Sequence, residues 1–159
     1  MHIVISISDQ ILTLRDDMGE SLAVYPVSTA LNGPGEAMDS GCTPRGRHVV
    51  RARIGAGQPL GAVFVGRRPT GEIWTPGLAV REPQRDWILT RILWLSGCEP
   101  GVNRLGHCDS MQRYIYIHGA PDSEPMGIAR SHGCIRMRNA DVAELFDRVP
   151  AGTPVMIKA

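Results

Sequence analysis

At 159 residues, with 17 basic against 16 acidic side chains, the chain is near neutral and suits one domain over residues 1–159. A 43% hydrophobic content excludes a disordered chain, and the lack of any basic run excludes nucleic acid and anionic membrane as main partners. The 18 Gly and 12 Pro together exceed the ~12% of an average chain, which predicts many turns and long loops.

Met1 to Ser8 carries no basic leader, no long apolar run and no cleavage site, and it already alternates like a strand. The expected location is therefore the cytoplasm; the alternative, for a piece of a longer chain, is the periplasm. No apolar run approaches the roughly 18 residues that a spanning helix needs, so no membrane partner is expected. In a first meander Ile3, Ile5 and Ile7 share a face, Leu12 and Leu14 follow after a turn, and Leu22 and Val24 carry a third strand towards Val27. A Gly- and Pro-rich loop runs from Asn32 to Gly46. His48 to Ile54 is a strand with Val50, Ala52 and Ile54 on one face. Residues 55–85 read as loops with one short strand, Ala62 to Val65.

Trp87 to Leu95 is apolar on both faces and rich in β-branched and aromatic residues, which favours a central strand over a buried helix. After another loop, Tyr114 to His118 is a strand with Ile115 and Ile117 on one face and Tyr114, Tyr116 and His118 on the other. The one convincing helix follows, with Asn139 as its cap, Asp141 in its first turn and Val142, Leu145, Phe146 and Val149 at helical spacing. Pro150 and Gly152 end it, and Val155 and Ile157 belong to a last strand. Many strands and one helix predict a mainly β sandwich or barrel-like fold.

Four cysteines, at 42, 98, 108 and 134, form no C-x-x-C pair and no zinc-finger spacing, so free thiols are expected; Cys98 and Cys108 are the one pair that invites a disulfide. One stretch concentrates reactive residues: His118-Gly119, then Ser131-His132-Gly133-Cys134-Ile135-Arg136. A cysteine becomes a useful nucleophile beside an imidazole that can take and return its proton. His118 ends a strand on its polar face, a well-fixed place for such a base. Gly133 lets backbone pass close to a substrate, and the N–H groups of Gly133 and Cys134 are placed to hold an oxyanion. Arg136 is placed for a carboxylate, with a surface salt bridge to Asp141 as its alternative role. Two other readings stand beside this one: Cys134 as a small buried hydrophobe with His132 bonded to backbone, and a metal site of His118, His132 and Cys134, which lacks a clear fourth ligand.

The run Ser131 to Met137, with His118-Gly119 before it and Asn139-x-Asp141 after it, resembles the L,D-transpeptidase catalytic domain, also called the YkuD domain. Weaker likenesses extend over nearly the whole chain: Tyr25-Pro26-Val27-Ser28-Thr29, Thr43-Pro44-Arg45-Gly46 and Asn103-x-Leu105-Gly106. The chain departs from the usual pattern at Ala30, Arg104 and His48. Papain-like and NlpC/P60-like peptidases place the cysteine before the histidine, the reverse of the order here.

The resemblance implies a β-sandwich with one clear helix after the cysteine and a flap over the cleft. It makes Cys134 the nucleophile and His118 the general base and acid, oriented by a neighbouring backbone carbonyl. It places His132 with them and makes Ser131, Gly133, Arg136 and Gly119 the oxyanion and substrate-binding set, Ser131 fixing the loop and touching His132. No metal and no cofactor are implied. The implied substrates are peptidoglycan tetrapeptide stems, cut before the terminal D-alanine through a thioester, and carbapenems are expected to acylate the same thiol. Water as acceptor gives an L,D-carboxypeptidase and an amine gives a transpeptidase. The cytoplasmic expectation favours hydrolysis, in recycling of stem peptides; a silent cell-wall-binding module is a further alternative.

Overall fold

A computed structural model describes residues 1–159. In chain order it contains β1 (His2–Ser6), β2 (Ile11–Arg15), β3 (Ser21–Pro26), β4 (Gly46–Ile54), β5 (Ala62–Val65), β6 (Arg68–Ile73), α1 (Pro76–Arg81), β7 (Ile88–Gly97), β8 (Tyr116–Ala120), β9 (Ile135–Arg138), α2 (Asn139–Arg148) and β10 (Pro154–Lys158). The fold is mainly β as expected, and the sandwich takes the form of one ten-stranded sheet curled about its main core. Its strands run β3-β2-β1-β10-β4-β7-β5-β6, with β8 bonded to β7 and β9 bonded to β8. β10 lies between β1, which it meets parallel, and β4, which it meets antiparallel, so the two ends of the chain are neighbours.

The central place of β7 explains why its sequence is apolar on both faces. It is the longest strand and pairs with β4, β5 and β8. Leu93 and Leu95 point into the main core with Ile3, Ile5, Leu12 and Leu14, where α2 adds Val142, Leu145 and Phe146. Ile92 points the other way, into a smaller cluster with Ala62, Phe64 and Tyr116, against which Cys134 packs.

Four expectations need correction. The apolar letters of β3, Leu22 and Val24, face solvent at 43% and 57% exposure. Pairing of Leu12 with Tyr25 and Leu14 with Ala23 puts Ala23 and Tyr25 on the inner face instead, ahead of buried Val27. Residues 55–85 hold more than one strand: β6 and α1 were hidden because nearly every residue of β6 is exposed and α1 buries only Leu78. Their local signals are nonetheless physical. Gly66 and Arg67, both left-handed (φ 56 and 64), form the tight turn that the twist of a hairpin favours, and Thr75 Oγ1 caps α1 by accepting from Leu78 N at 3.1 Å, with Pro76 behind it. The strand expected from Tyr114 begins at Tyr116, because Tyr114 is itself left-handed (φ 57). Asn139 does not cap α2; Arg138 occupies that position without a side-chain bond, and Asn139 opens the helix with its amide turned to Thr90 and Asp122.

The reversed facing of β3 yields a direct test. Leu14→Ala empties space in the main core and should cost about 2–5 kcal/mol, whereas Leu22→Ala should stay within about 0.5 kcal/mol. Urea unfolding of the two variants checks the contrast, and equal losses would contradict the register.

Candidate active site

Strand pairing places the reactive residues. β8 and β9 run parallel with Ile117 opposite Ile135 and His118 opposite Arg136. Because side chains alternate, burying Ile117, Ile135 and Met137 in the main core sends Tyr116, His118, Cys134 and Arg136 out on the other face. There they line a cleft of about 510 Å³, edged by Arg67 and by Asp86 on the stretch before β7. Gly119 continues β8 where only a glycine fits, since a Cβ would lie 2.5 Å from Asn139 Oδ1 and 2.6 Å from the Leu89 carbonyl.

The loop ahead of Cys134 is held from several sides. Ser131 Oγ donates to the Cys134 carbonyl at 2.5 Å and accepts from Gly133 N at 3.2 Å, so it bonds its own loop and not His132. Ser28 and Arg136 exchange backbone bonds of 2.9 Å, and Leu31 N donates to the Ser131 carbonyl. Buried Thr43 donates from Oγ1 to the Gly133 carbonyl and accepts from Ala30 N, both at 2.9 Å. Gly133 itself is left-handed (φ 133), and a Cβ there would come within 3.2 Å of the Cys42 carbonyl. Two likenesses noted in the sequence, Tyr25 to Thr29 and Thr43 to Gly46, thus lead into segments that grip this loop. Asn103, from the third, is fully buried and ties its loop to β4 through the Arg45 and Arg47 carbonyls.

His118 is buried, and its Nδ1 lies 2.7 Å from the Gly119 carbonyl. Donation from Nδ1 fixes the tautomer with its lone pair on Nε2, which has no partner in the protein. Burial lowers the imidazole pKa, against a smaller upward effect of the Gly119 bond. Cys134 Sγ accepts from Tyr116 N at 3.3 Å and donates to the Tyr114 carbonyl at 3.2 Å, and no hydrogen bond joins it to His118. The residue keeps some exposure, yet protein surrounds its sulfur closely enough to push the thiol up to about 12. The resting pair is therefore a neutral thiol and a neutral imidazole.

Arg136 has a side chain only 12% exposed, and its Nη2 lies 3.3 Å from Asp86 Oδ1. The salt bridge to Asp141 considered from sequence does not form. Asp86 Oδ2 also lies 3.8 Å from Nδ1 of His132, which projects into solvent at 77% exposure. Arg67, at the tip of the β5–β6 hairpin, donates to the Tyr116 hydroxyl at 2.9 Å and stacks over Trp94 and Tyr114 at 4.5 and 5.1 Å. Arg113 borders the same cleft and is tied to the Cys42 carbonyl at 2.6 Å. Sequence reasoning missed Asp86, Arg67 and Arg113, which come from loops and turns where spacing carries no signal. All four cysteines are free thiols, and no three His, Cys, Asp or Glu side chains converge as a metal site requires. No helix is long and apolar enough to cross a membrane.

Comparison with known proteins agrees with this geometry. Residues 1–157 match the family model described as YkuD, the L,D-transpeptidase catalytic domain. The probable L,D-transpeptidase ErfK/SrfK of Salmonella typhimurium is 30% identical over 159 aligned residues, covering 93% of this chain and 47% of that protein. The putative L,D-transpeptidase YkuD of Bacillus licheniformis is 54% identical over 46 residues, 29% of this chain and 28% of its own length. The matched region spans about half the length of the Salmonella protein and under a third of the Bacillus one. Among solved structures, an L,D-transpeptidase from Mycobacterium smegmatis superposes with a TM-score of 0.56 at 20% identity, covering 99% of this chain and 58% of that one. L,D-transpeptidase 3 of Mycobacterium tuberculosis, in complex with a faropenem-derived adduct, gives 0.55 at 21% identity, covering 99% and 59%. Cleft, motif and full-length family match converge, and the chain belongs to the YkuD family of L,D-transpeptidase catalytic domains.

Proposed function

We propose that the chain is a cysteine acyl-transfer enzyme acting on peptidoglycan tetrapeptide stems, at the bond between the third residue and D-alanine. The observation that carries this reading is the emergence of His118 and Cys134 on one face of two adjacent parallel strands, with His118 Nδ1 engaged by Gly119 and Nε2 free. Sγ attacks the scissile carbonyl carbon as its proton passes to His118 Nε2, and the carbonyl π electrons move onto oxygen. Gly133 N–H is already engaged by Ser131, so the Cys134 N–H, which has no acceptor in the chain, is the backbone donor left for that oxyanion. Collapse breaks the C–N bond, the leaving amine takes the proton from His118, and a thioester remains on Cys134. Arg136 holds a substrate carboxylate and His132 borders the acyl group.

The acceptor settles the reaction type. Hydrolysis, an L,D-carboxypeptidase reaction suited to trimming recovered stem peptides, is favoured by the openness of the cleft to water: Asp86 and His132 beside the thiol are 51% and 77% exposed. His118 Nε2 would then deprotonate the attacking water and return that proton to the departing thiolate. Transpeptidation is the second reading, favoured by a neighbouring cavity of about 550 Å³ that shares Asp86, His132 and Arg136 with the cleft and has room for an acceptor peptide. Incubation with tetrapeptide alone should yield tripeptide and free D-alanine; a cross-linked dimer as the main product would select the second reading.

Cys134→Ala should abolish release of D-alanine while leaving the urea midpoint near that of the parent. Undiminished release would refute Cys134 as the nucleophile, whereas no release from the parent would leave a wall-binding module as the better account. A carbapenem should add its mass to the parent and not to the alanine variant, read by intact-protein mass spectrometry.

Burial sets the expected pH profile. A base whose pKa is lowered stays unprotonated further into acid, so kcat/KM should fall only below the 6.5 of an ordinary imidazole. With the thiol pushed up to about 12, no rise from thiolate formation should appear around pH 8–9. A pre-formed thiolate–imidazolium pair would instead place the acid limb at thiol ionisation, far below neutral, and add a basic limb where the imidazolium loses its proton, which pH-rate measurements resolve.

A further inference from the structure

We propose that Asp86 is an internal stand-in for the substrate carboxylate, which holds Arg136 until a ligand carboxylate displaces it and so favours carboxylate-bearing ligands at Cys134. This deepens the function proposed above and rests on Arg136 as the anchor for a substrate carboxylate. Arg136 is largely covered by protein, and a covered guanidinium needs a counter-charge. The one acidic group in contact with it is Asp86, at 3.3 Å through a single oxygen and one Nη2 rather than the paired fork of a strong guanidinium–carboxylate contact. Asp86 is also 51% exposed and sits on the irregular stretch between α1 and β7, so a turn of its side chain releases Arg136 without disturbing a strand.

Position supports the same role. Asp86, His132 and Arg136 line both the 510 Å³ cleft and the 550 Å³ cavity beside it, so the carboxylate stands where the two spaces meet. Its other oxygen lies 3.8 Å from His132, the second group able to meet an anion there. The Asp86 charge also works against ionisation of Cys134, and Arg136 works for it. A ligand carboxylate seated on Arg136 takes over the counter-charge, and Asp86 turns out to solvent. An uncharged ligand has no means of making that exchange.

Alkylation of Cys134 tests the exchange without requiring any peptide activity. Iodoacetate and iodoacetamide present the same reactive carbon and leaving group and differ in charge. Rates at Cys134 are read by peptide mass mapping of the full chain. In Asp86→Asn the ratio of iodoacetate to iodoacetamide rates should rise about two- to fivefold, the range that a half-exposed ion pair sustains. In an Arg136→Gln background the same substitution should leave the ratio unchanged. A ratio unmoved in Asp86→Asn overturns the proposal, since a mere loosening of the stretch between α1 and β7 would speed both reagents alike. A gain that persists in the Arg136→Gln background also overturns it, by assigning the effect to removal of a negative charge. Should Arg136→Gln fail to fold, protection of Cys134 from iodoacetamide by acetate serves instead: the half-protecting concentration should fall about two- to fivefold in Asp86→Asn, with acetamide giving no protection in either protein. Equal acetate protection in the two proteins overturns the proposal. With tetrapeptide, Asp86→Asn should lower KM and leave kcat level. Absence of tetrapeptide cleavage in the parent would defeat the proposed reaction alone, because the alkylation ratios do not depend on it.

Discussion

The parallel pairing of β8 with β9 is the constraint on which the cleft depends. Ile117 and Ile135 are opposite one another and wholly buried, and this pair fixes the register of the two short strands. A slip of one residue in β9 would carry Cys134 and Arg136 to the inner face and bring Ile135 and Met137 out. Burial of three apolar side chains, Ile117, Ile135 and Met137, thus enforces the placement of four polar ones. The main core, which lies on the other side of the same strands, is in this sense what aims the polar side chains of the cleft. Gly119 and Gly133 complete the arrangement, each allowing a close approach of backbone that a side chain would prevent.

That placement has an electrostatic consequence. Burial among the strands and the loops beside them leaves His118 and Cys134 poorly solvated, and poor solvation favours the uncharged form of both. The thiol rests against Tyr114 and Tyr116 backbone groups and not against the imidazole. In the proposed reaction, proton transfer therefore accompanies the move of the sulfur from the Tyr114 carbonyl to the scissile carbon. A thiol whose ionisation burial disfavours reacts more slowly with oxidants and alkylating reagents than a solvated one.

The legibility of the chain follows from where hydrophobic burial is one-sided. β1, β2, β4 and α2 alternate at their proper periods because one face meets the core and the other meets water, and each is readable in the sequence. β7 is readable for the opposite reason, since both of its faces are covered. β6 and α1 bury too little to leave a pattern, and only their turn and capping residues mark them. The reading of β3 went astray because its exposed letters are the more apolar ones, and only its pairing with β2 reveals which face is inside. At the site, residues of the cysteine motif could be found by their spacing, whereas Asp86, Arg67 and Arg113 reach the cleft from segments 20 or more residues before the cysteine. Asn139 shows a subtler failure. A good capping residue by type, it turns instead to accept from the buried Thr90 hydroxyl at 2.5 Å, because that hydroxyl, which itself accepts from Gly61 N, would otherwise leave its proton unpaired, at a greater cost than an open helix end in contact with water.

The same division separates chemistry from recognition. The groups that hold His118 and the cysteine loop in place are buried and belong to strands or to segments bonded to strands: Gly119, Ser131, Thr43 and Ser28. The charged or polar groups at the mouth of the cleft, Asp86 and His132, are half or more exposed and sit on loops. Arg136 joins the two sets, anchored through its backbone to Ser28 and opposite His118 in register, with its guanidinium reaching the loop side. Substitutions in the outer set can alter which ligands gain access without shifting the thiol or its base, because no strand hydrogen bond passes through them. Substitutions in the inner set cannot, since each such residue bonds the backbone that sets the direction of Cys134. A fold built this way confines variation in ligand choice to the loops while the sheet preserves the placement of the thiol and the imidazole.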